Sequence, residues 1–477
     1  MRQVGHYIAR QKGQAIVAAL IIMLLSVSGL VLMYNTGQST SEKWRVVNAA
    51  DAAAYSGGLW VARQLNFMAY TNRAMIANHV AVGHFVSFVS WARNTEQNIE
   101  FLDTIATAIP PVKPFTEAAE KYAELYLEVT ERFGKGYVRA IDLFNRGLYA
   151  SQLAARVNLN GLVVNDVMRQ TARNYGDIQV NDQEDLRVLS QRSLSVGNSG
   201  RAAQAAGRVI GQFVPLLSFT QSYDAARDNG RIAGVVEASL DGSERWIQGD
   251  RGWRYCLDLE SCRRFIVPIP NQRLSKRGST VHSDDGGNGR TRRNDCSLSS
   301  RFFGSGSSSS AEGNGLNWYA RDETQLDEVR RRRRSFRLRW AEVFSTCAEA
   351  NATEFSSSYR GIANYHALRN QNSEHQTLSV YAYATLDTDA SAVPVYHTFR
   401  EGNPSDPHYE VKRRQTITND KTTALVEAQV FHGSDEANLF STEQGEEYSN
   451  LFNPYWHARS NFGVYDRIAA TIAGVHD

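Results

Sequence analysis

No catalytic signature occurs in this chain. It has no His-Glu-x-x-His, no Gly-x-Ser-x-Gly, no phosphate-binding loop and no dinucleotide fingerprint. The motif-bearing peptidases, hydrolases and nucleotide enzymes therefore find no support, and no residue stands out as catalytic, cofactor-binding or metal-ligating. A charge imbalance is missing too: 52 basic against 50 acidic residues leave +2, without the basic field of a nucleic-acid binder. Asp284, Asn288, Gly289 and Asp295 echo a calcium loop only in outline, because Gly286 stands at a ligand position and the closing Glu is absent. Cysteine is scarce. The four present, Cys256, Cys262, Cys296 and Cys347, form no Cys-x-x-Cys pair, which argues against structural zinc. An even number in a polar region suits one or two disulfides in an oxidising compartment, four reduced thiols being the alternative. Three pairings are open, among them Cys256 with Cys262 and Cys296 with Cys347.

Proline is absent before Pro110, then clusters at Pro110, Pro111 and Pro114, and next occurs at Pro215. A proline costs a helix interior about 3 kcal/mol, so its absence permits long helices. Tyr122, Leu125, Tyr126, Val129 and Phe133 recur at helical spacing. Asn35–Ser41 is a poor helix former and Ser39-x-x-Glu42 can restart a helix, so a break there and one continuous rod are both open.

What is present at the N-terminus is a charge-free apolar run from Ala15 to Met33, which at 1.5 Å per residue spans about 28 Å, close to one bilayer core. Arg2, Arg10 and Lys12 precede it, so the leading end stays cytoplasmic and the chain after Tyr34 is exported. A signal peptide has a shorter apolar region and an Ala-x-Ala-like cleavage site, which is lacking here. A leader cut between Gly13 and Gln14 is a third alternative.

The expected fold class is α+β. A cytoplasmic tail (1–14) and a single transmembrane helix (15–33) precede a helical stalk or bundle (34–218) and a distal antiparallel-sheet domain (219–477). Ala424–Phe431 alternates with period two and residues 377–386 are β-rich in the same way. Residues 271–316, rich in Ser, Gly, Asn and Arg, read as a flexible insertion. The run Arg330, Arg331, Arg332, Arg333 and Arg334 can grip an anionic cell-wall or lipid surface. It also reads as a solvated helical face, with Asp327–Arg331 and Glu328–Arg332 at i,i+4. Asn66, Asn72, Arg73, Asn78 and His79 interrupt an apolar helix and call for interhelical hydrogen bonds.

The stretch NAADAAAYSGG, residues 48–58, is the most distinctive. Ala49, Ala53 and Gly57 form one i,i+4 row and Ala50, Ala54 and Gly58 the next, giving a flat helix-packing interface that lets another backbone approach closely. Good helix propensity alone is the plainer explanation of the alanines.

The basic leader ending Lys12-Gly13-Gln14, the apolar helix and the run Asn48–Ala54 together resemble the TadG-like N-terminal region of Flp (tight adherence, Tad) pilus assembly proteins. LNFMAYTNRAMIANHVAVG, residues 65–83, is similar to its continuation in one subgroup, and LFNPYW, residues 451–456, has a similar character. The resemblance implies an inner-membrane anchor, a periplasmic body, no cofactor, and partners among other pilus-assembly proteins or pseudopilins. It does not extend to the metal site of von Willebrand A relatives, since Asp387–Ser391 lacks the first serine, nor to the pseudopilin Glu, where this chain has Ala18. The expected role is structural, by helix packing with partners and without catalysis. The runner-up is a membrane-tethered, cell-wall-active enzyme whose site is assembled from residues distant in sequence.

Overall fold

The structure is a computed structural model. It describes residues 14–107, 111–187, 211, 213–223, 253–256, 272–283, 317–331, 338–359, 361–362, 364–369, 376–387, 396–400, 411–415, 421–433 and 449–460.

The absence of early proline is realised in full. Helix α1 runs unbroken from Gln14 to Ala106, about 140 Å. Asn35–Ser41 does not interrupt it, and the hydroxyls there bond back within the helix: Thr36 and Thr40 donate to the carbonyls of Leu32 (2.8 Å) and Thr36 (2.7 Å). The helix stops before the proline pair, and α2 (Lys113–Asn158) starts with a proline in its first turn, where the missing N–H costs nothing. Contacts pairing Arg93 with Glu131, Asn78 with Asn145 and Thr71 with Gln152 fall in inverse order, so α2 returns antiparallel along α1. Helix α3 (Gly161–Arg173) follows, capped by the Asn160 side chain, which accepts from Leu162 N at 3.2 Å.

Strands β1 (Gln179–Val180), β8 (Thr377–Asp387), β11 (Lys421–His432) and β12 (Trp456–Ser460) form one antiparallel sheet in the order β1-β8-β11-β12, the proximal sheet. The two segments that alternate in the sequence are thus paired, Val426 lying opposite Ala382. A second antiparallel sheet, the distal one, orders β3 (Trp253–Cys256), β4 (Gln272–Ser283), β5 (Asn317–Arg331) and β6 (Leu338–Asn351). Strand β2 (Thr220–Tyr223) pairs with β7 (Tyr365–Leu368), and β9 (Tyr396–Arg400) with β10 (Val411–Gln415). Short helices α4 (Phe213–Ser218) and α5 (Ala352–Phe355) complete the described elements.

The apolar cores do not follow the expected division at residue 219. One cluster joins α1 from Val46 to Met68 with Val164 and Met168 of α3 and with Val380, Val426 and Val430 of the proximal sheet. The other joins Met75, Val82, Val86 and Val89 of α1 with Val138 of α2 and with Trp318, Phe355, Tyr359 and Tyr365. Helical and sheet residues bury one another along the same spine.

Two further expectations are corrected. The first part of the expected flexible insertion, Gln272–Ser283, is strand β4, fully paired with β5; the calcium-like residues 284–295 lie outside the described residues. Asp327 and Glu328 are not on a helix with the arginines. They sit on β5, where neighbours point to opposite faces, and Asp327 instead takes an ion pair from Arg273 of β4. Helical charge pairs contribute only about 0.3–0.5 kcal/mol each, too little against two complete strand ladders. Arg330 and Arg331 end β5, whereas Arg332, Arg333 and Arg334 lie outside the described residues.

Cys347 of β6 is disulfide-bonded. The strand register removes Cys256 as its partner: Cys256 lies opposite Arg273, Arg273 opposite Asp327 and Asp327 opposite Glu342. That places Cys256 three strand spacings, about 14 Å, across the sheet and five residues along it, beyond the roughly 7 Å between Cα atoms that a disulfide spans.

Candidate functional site

The functional features all bear on α1, and they change along its length. From Ile16 to Met33 the helix is bare: Ile22 and Leu24 are two-thirds exposed, and none of this apolar stretch is buried. Leaving so many large apolar side chains in water costs roughly 2 kcal/mol apiece, a strong drive into a lipid environment. The helix is long and apolar enough to cross a membrane.

Past Trp44 the same helix enters the body, and the small-residue face is the point of entry. Ala49, Ala50, Ala53 and Ala54 have no exposed surface. A Cβ built on Gly57 would lie 2.9 Å from Met168 and 3.2 Å from Val380, and one on Gly58 would lie 3.3 Å from Cβ of both Ala428 and Ala458. The face expected to receive a partner's helix is thus occupied by this chain's own α3, β8, β11 and β12. The correction has a simple cause: spacing shows that something approaches closely but does not identify it, and here strands more than 300 residues downstream are what approaches.

Farther along, the packing becomes polar. Asn66 clamps the start of β12, donating to Trp456 O and accepting from Trp456 N, both at 2.9 Å. Asn72, almost fully buried, donates to the carbonyls of His366 (2.9 Å) and Leu451 (2.7 Å) and accepts from Gln152 at 2.6 Å. The segment LFNPYW is therefore tied to residues 65–83 through these two amides. Asn78 donates to Asn145 of α2 at 2.8 Å. His79 Nδ1 lies 2.6 Å from the Tyr359 hydroxyl, and its carbonyl accepts from Trp318 Nε1 at 2.8 Å. Arg73 points outward. The expected interhelical bonds exist at Asn72 and Asn78, while Asn66 and Asn72 also reach strand or loop backbone and His79 reaches a tyrosine hydroxyl.

Sequence reasoning missed the continuation of this ladder. Thr324 donates to Asn94 at 2.7 Å, Asn98 donates to Thr324 at 3.0 Å, and Thr346 donates to Asn98 at 2.7 Å, which fastens α1 to β5 and β6. The i,i+4 amide pair on a buried face was the available signal. Arg93 was missed as well: it donates to Glu131 of α2 (2.7 Å), to Glu354 of α5 (2.8 Å) and to the Glu349 carbonyl (2.7 Å), joining three elements.

Two buried titratable groups, His366 and Tyr359, are kept neutral by their surroundings. Burial, reinforced by the Arg156 charge, lowers His366 from 6.5 to about 4, and burial with the Asp142 charge raises Tyr359 well above its ordinary value. Neither opens onto a cleft. A shallow depression of about 360 Å³ is lined by Asn48, Asp51, Ala52, Tyr55, Tyr175 and Ser460. No cluster of metal-ligating side chains occurs among the described residues.

Against this geometry, residues 13–64 match the Tad family model, described as Flp pilus-assembly TadE/G-like. The matched region is the bare apolar length of α1 together with the small-residue entry into the body. No curated protein and no solved structure matches the chain.

Proposed function

We propose that this chain is a membrane-anchored structural component of Flp (Tad-type) pilus assembly, acting by protein–protein contact in the cell envelope and not by catalysis. Residues 1–14 face the cytoplasm, Ala15–Met33 cross the inner membrane, and the body lies in the periplasm, an orientation that Arg2, Arg10 and Lys12 favour. The observation that carries this reading is the continuity of α1. One helix is both the bare apolar segment and the spine of the body, so force or position is transmitted between membrane and body without a flexible joint. The disulfide at Cys347 suits an oxidising compartment. Because the Ala/Gly face is consumed internally, partners are met on outer surfaces. The run Arg330–Arg334 is a candidate contact for an anionic cell-wall or lipid surface.

Two measurements test the proposal together. Protease added to spheroplasts should digest the chain beyond Tyr34, and an in-frame deletion should abolish surface pili while leaving growth unchanged. Full protection of the body overturns the orientation; normal pili in the deletion strain overturn the function.

A further inference from the structure

Helix α2 has a buried inner face and an exposed apolar one. The inner one, through Thr130, Gly134, Val138, Asn145, Gln152 and Ala155, is buried. A second row, Phe115, Tyr122, Leu125, Val129, Phe133 and Phe144, lies in an arc of about 100° on the outside. Phe115 is 77% exposed, Tyr122 73% and Phe133 63%. Within that arc Gly136 and Gly147 have open space around them, so another backbone can come close. A buried aromatic side chain removes about 150–250 Å² from water, so four aromatics this exposed offer on the order of 500 Å² per copy. That is roughly three-fifths of the ~800 Å² one partner contributes to a standard interface, before the aliphatic residues are counted. The row also continues the core, since Phe133 stacks on Tyr137 at 5.7 Å and Tyr126 meets Phe88 edge-on at 6.1 Å.

Charge is ordered along the same helix. Glu117, Glu120, Glu124, Glu128 and Glu131 lie within residues 113–131 with Lys113 and Lys121; Arg132, Lys135, Arg139 and Arg146 lie within residues 132–147 with Asp142. The acidic end is felt by its neighbours: Glu96 of α1 is raised, first by burial and then by Glu100, Glu124, Glu120 and Glu131. Three pairs are met within the helix, Lys113 with Glu117 at 3.5 Å, Glu128 with Arg132 at 3.2 Å and Asp142 with Arg146 at 2.8 Å.

We propose that the outer row of α2 seats an amphipathic helix of a partner protein, laid antiparallel to α2, with basic residues level with Glu117–Glu131 and acidic residues level with Arg132–Arg146. The direction rests on the anchored reading above: α2 descends toward the bare end of α1, so a partner helix rising from the same membrane runs against it. A second copy does not fit. Two α2 helices paired antiparallel would carry their bare segments to opposite ends, and paired parallel at one depth they would set acid against acid and base against base.

A synthetic peptide of residues 113–147 is a usable probe, because antiparallel on α2 it sets Glu117 level with Arg146, Lys121 with Asp142, Glu124 with Arg139 and Glu128 with Lys135. Its fluorescence anisotropy is measured against the full chain in lipid nanodiscs and again in detergent. Saturable binding is expected, about tenfold tighter than for a peptide with the same apolar positions and shuffled charges. Phe133→Glu in the protein should weaken it about tenfold, with the fold checked by circular dichroism. Arg139→Glu should weaken it about fivefold, and a Glu124→Arg peptide should restore it. Equal affinity for the shuffled peptide, no saturable binding, or no charge-swap rescue overturns the proposal. Failure of the chain to enter nanodiscs while it binds peptide in detergent counts against the anchor alone.

Discussion

Two stretches of one helix hold the body together by opposite means. Between Ala49 and Gly58, α1 lies so close to β8, β11 and β12 that alanine and glycine are the only side chains that fit, and the contact is apolar. Between Asn66 and Asn98 the helix meets strands and α2 through amides and hydroxyls, each bonded to a backbone group or another side chain. The first stretch tolerates no added volume; the second tolerates no lost hydrogen bond. A helix that crosses two different sheets can thus be fixed in position twice, by close approach at one and by bonding at the other.

The largest effect is expected from breaking the polar stretch. Asn72→Leu removes the donor to two buried carbonyls and the acceptor for Gln152, and should destabilise the body by about 3–5 kcal/mol, read as a fall in the urea midpoint. A loss below about 1 kcal/mol would mean that water or rearrangement replaces these bonds. In the close-packed stretch, Ala53→Leu should cost about 1–3 kcal/mol of overpacking in the purified protein, with no partner present. Unchanged stability there would show that the face is not filled by the chain itself.

The smallest effect is a pH dependence. His366 has a folded pKa of about 4 against an ordinary 6.5, so the unfolded chain binds its proton first as pH falls. Its contribution is complete above about pH 6.5 and is lost progressively down to about pH 4, amounting to about 1 kcal/mol between pH 7 and pH 5.5. His366→Gln should flatten this part of the urea-midpoint profile; an unaltered slope would assign it to other groups.

How far the sequence revealed this differs residue by residue. The absence of proline permits the continuous α1, although Asn35–Ser41 left a break equally open, and the alternation at residues 424–431 matches strand β11. The rows Ala49-Ala53-Gly57 and Ala50-Ala54-Gly58 announce close packing, yet nothing local says that Ala428 and Ala458 are what approaches. Asn66 and Asn72 announce a need for partners, but the partners are backbone carbonyls, which carry no residue identity. Strand β4 was hidden by its Ser, Gly and Arg composition. It is ordered by what it touches: Thr280 lies 2.5 Å from Ser87 and Lys276 sits over the Trp91 ring at 5.2 Å. The charges at Asp327 and Glu328 matched a helix as well as a strand, and only the ladders on either side decide between them.

The central claim is that the Ala/Gly face of α1 is closed by its own sheet. Its most direct test is the double substitution Gly58→Cys with Ala458→Cys, where a Cβ on Gly58 would lie 3.3 Å from that of Ala458, close to disulfide geometry. Under mild oxidation the chain should form this bond within the monomer, identified by peptide mapping, with no covalent dimer from either single substitution. Ready cross-linking between chains through Gly58→Cys alone, with no internal bond in the double variant, would contradict it.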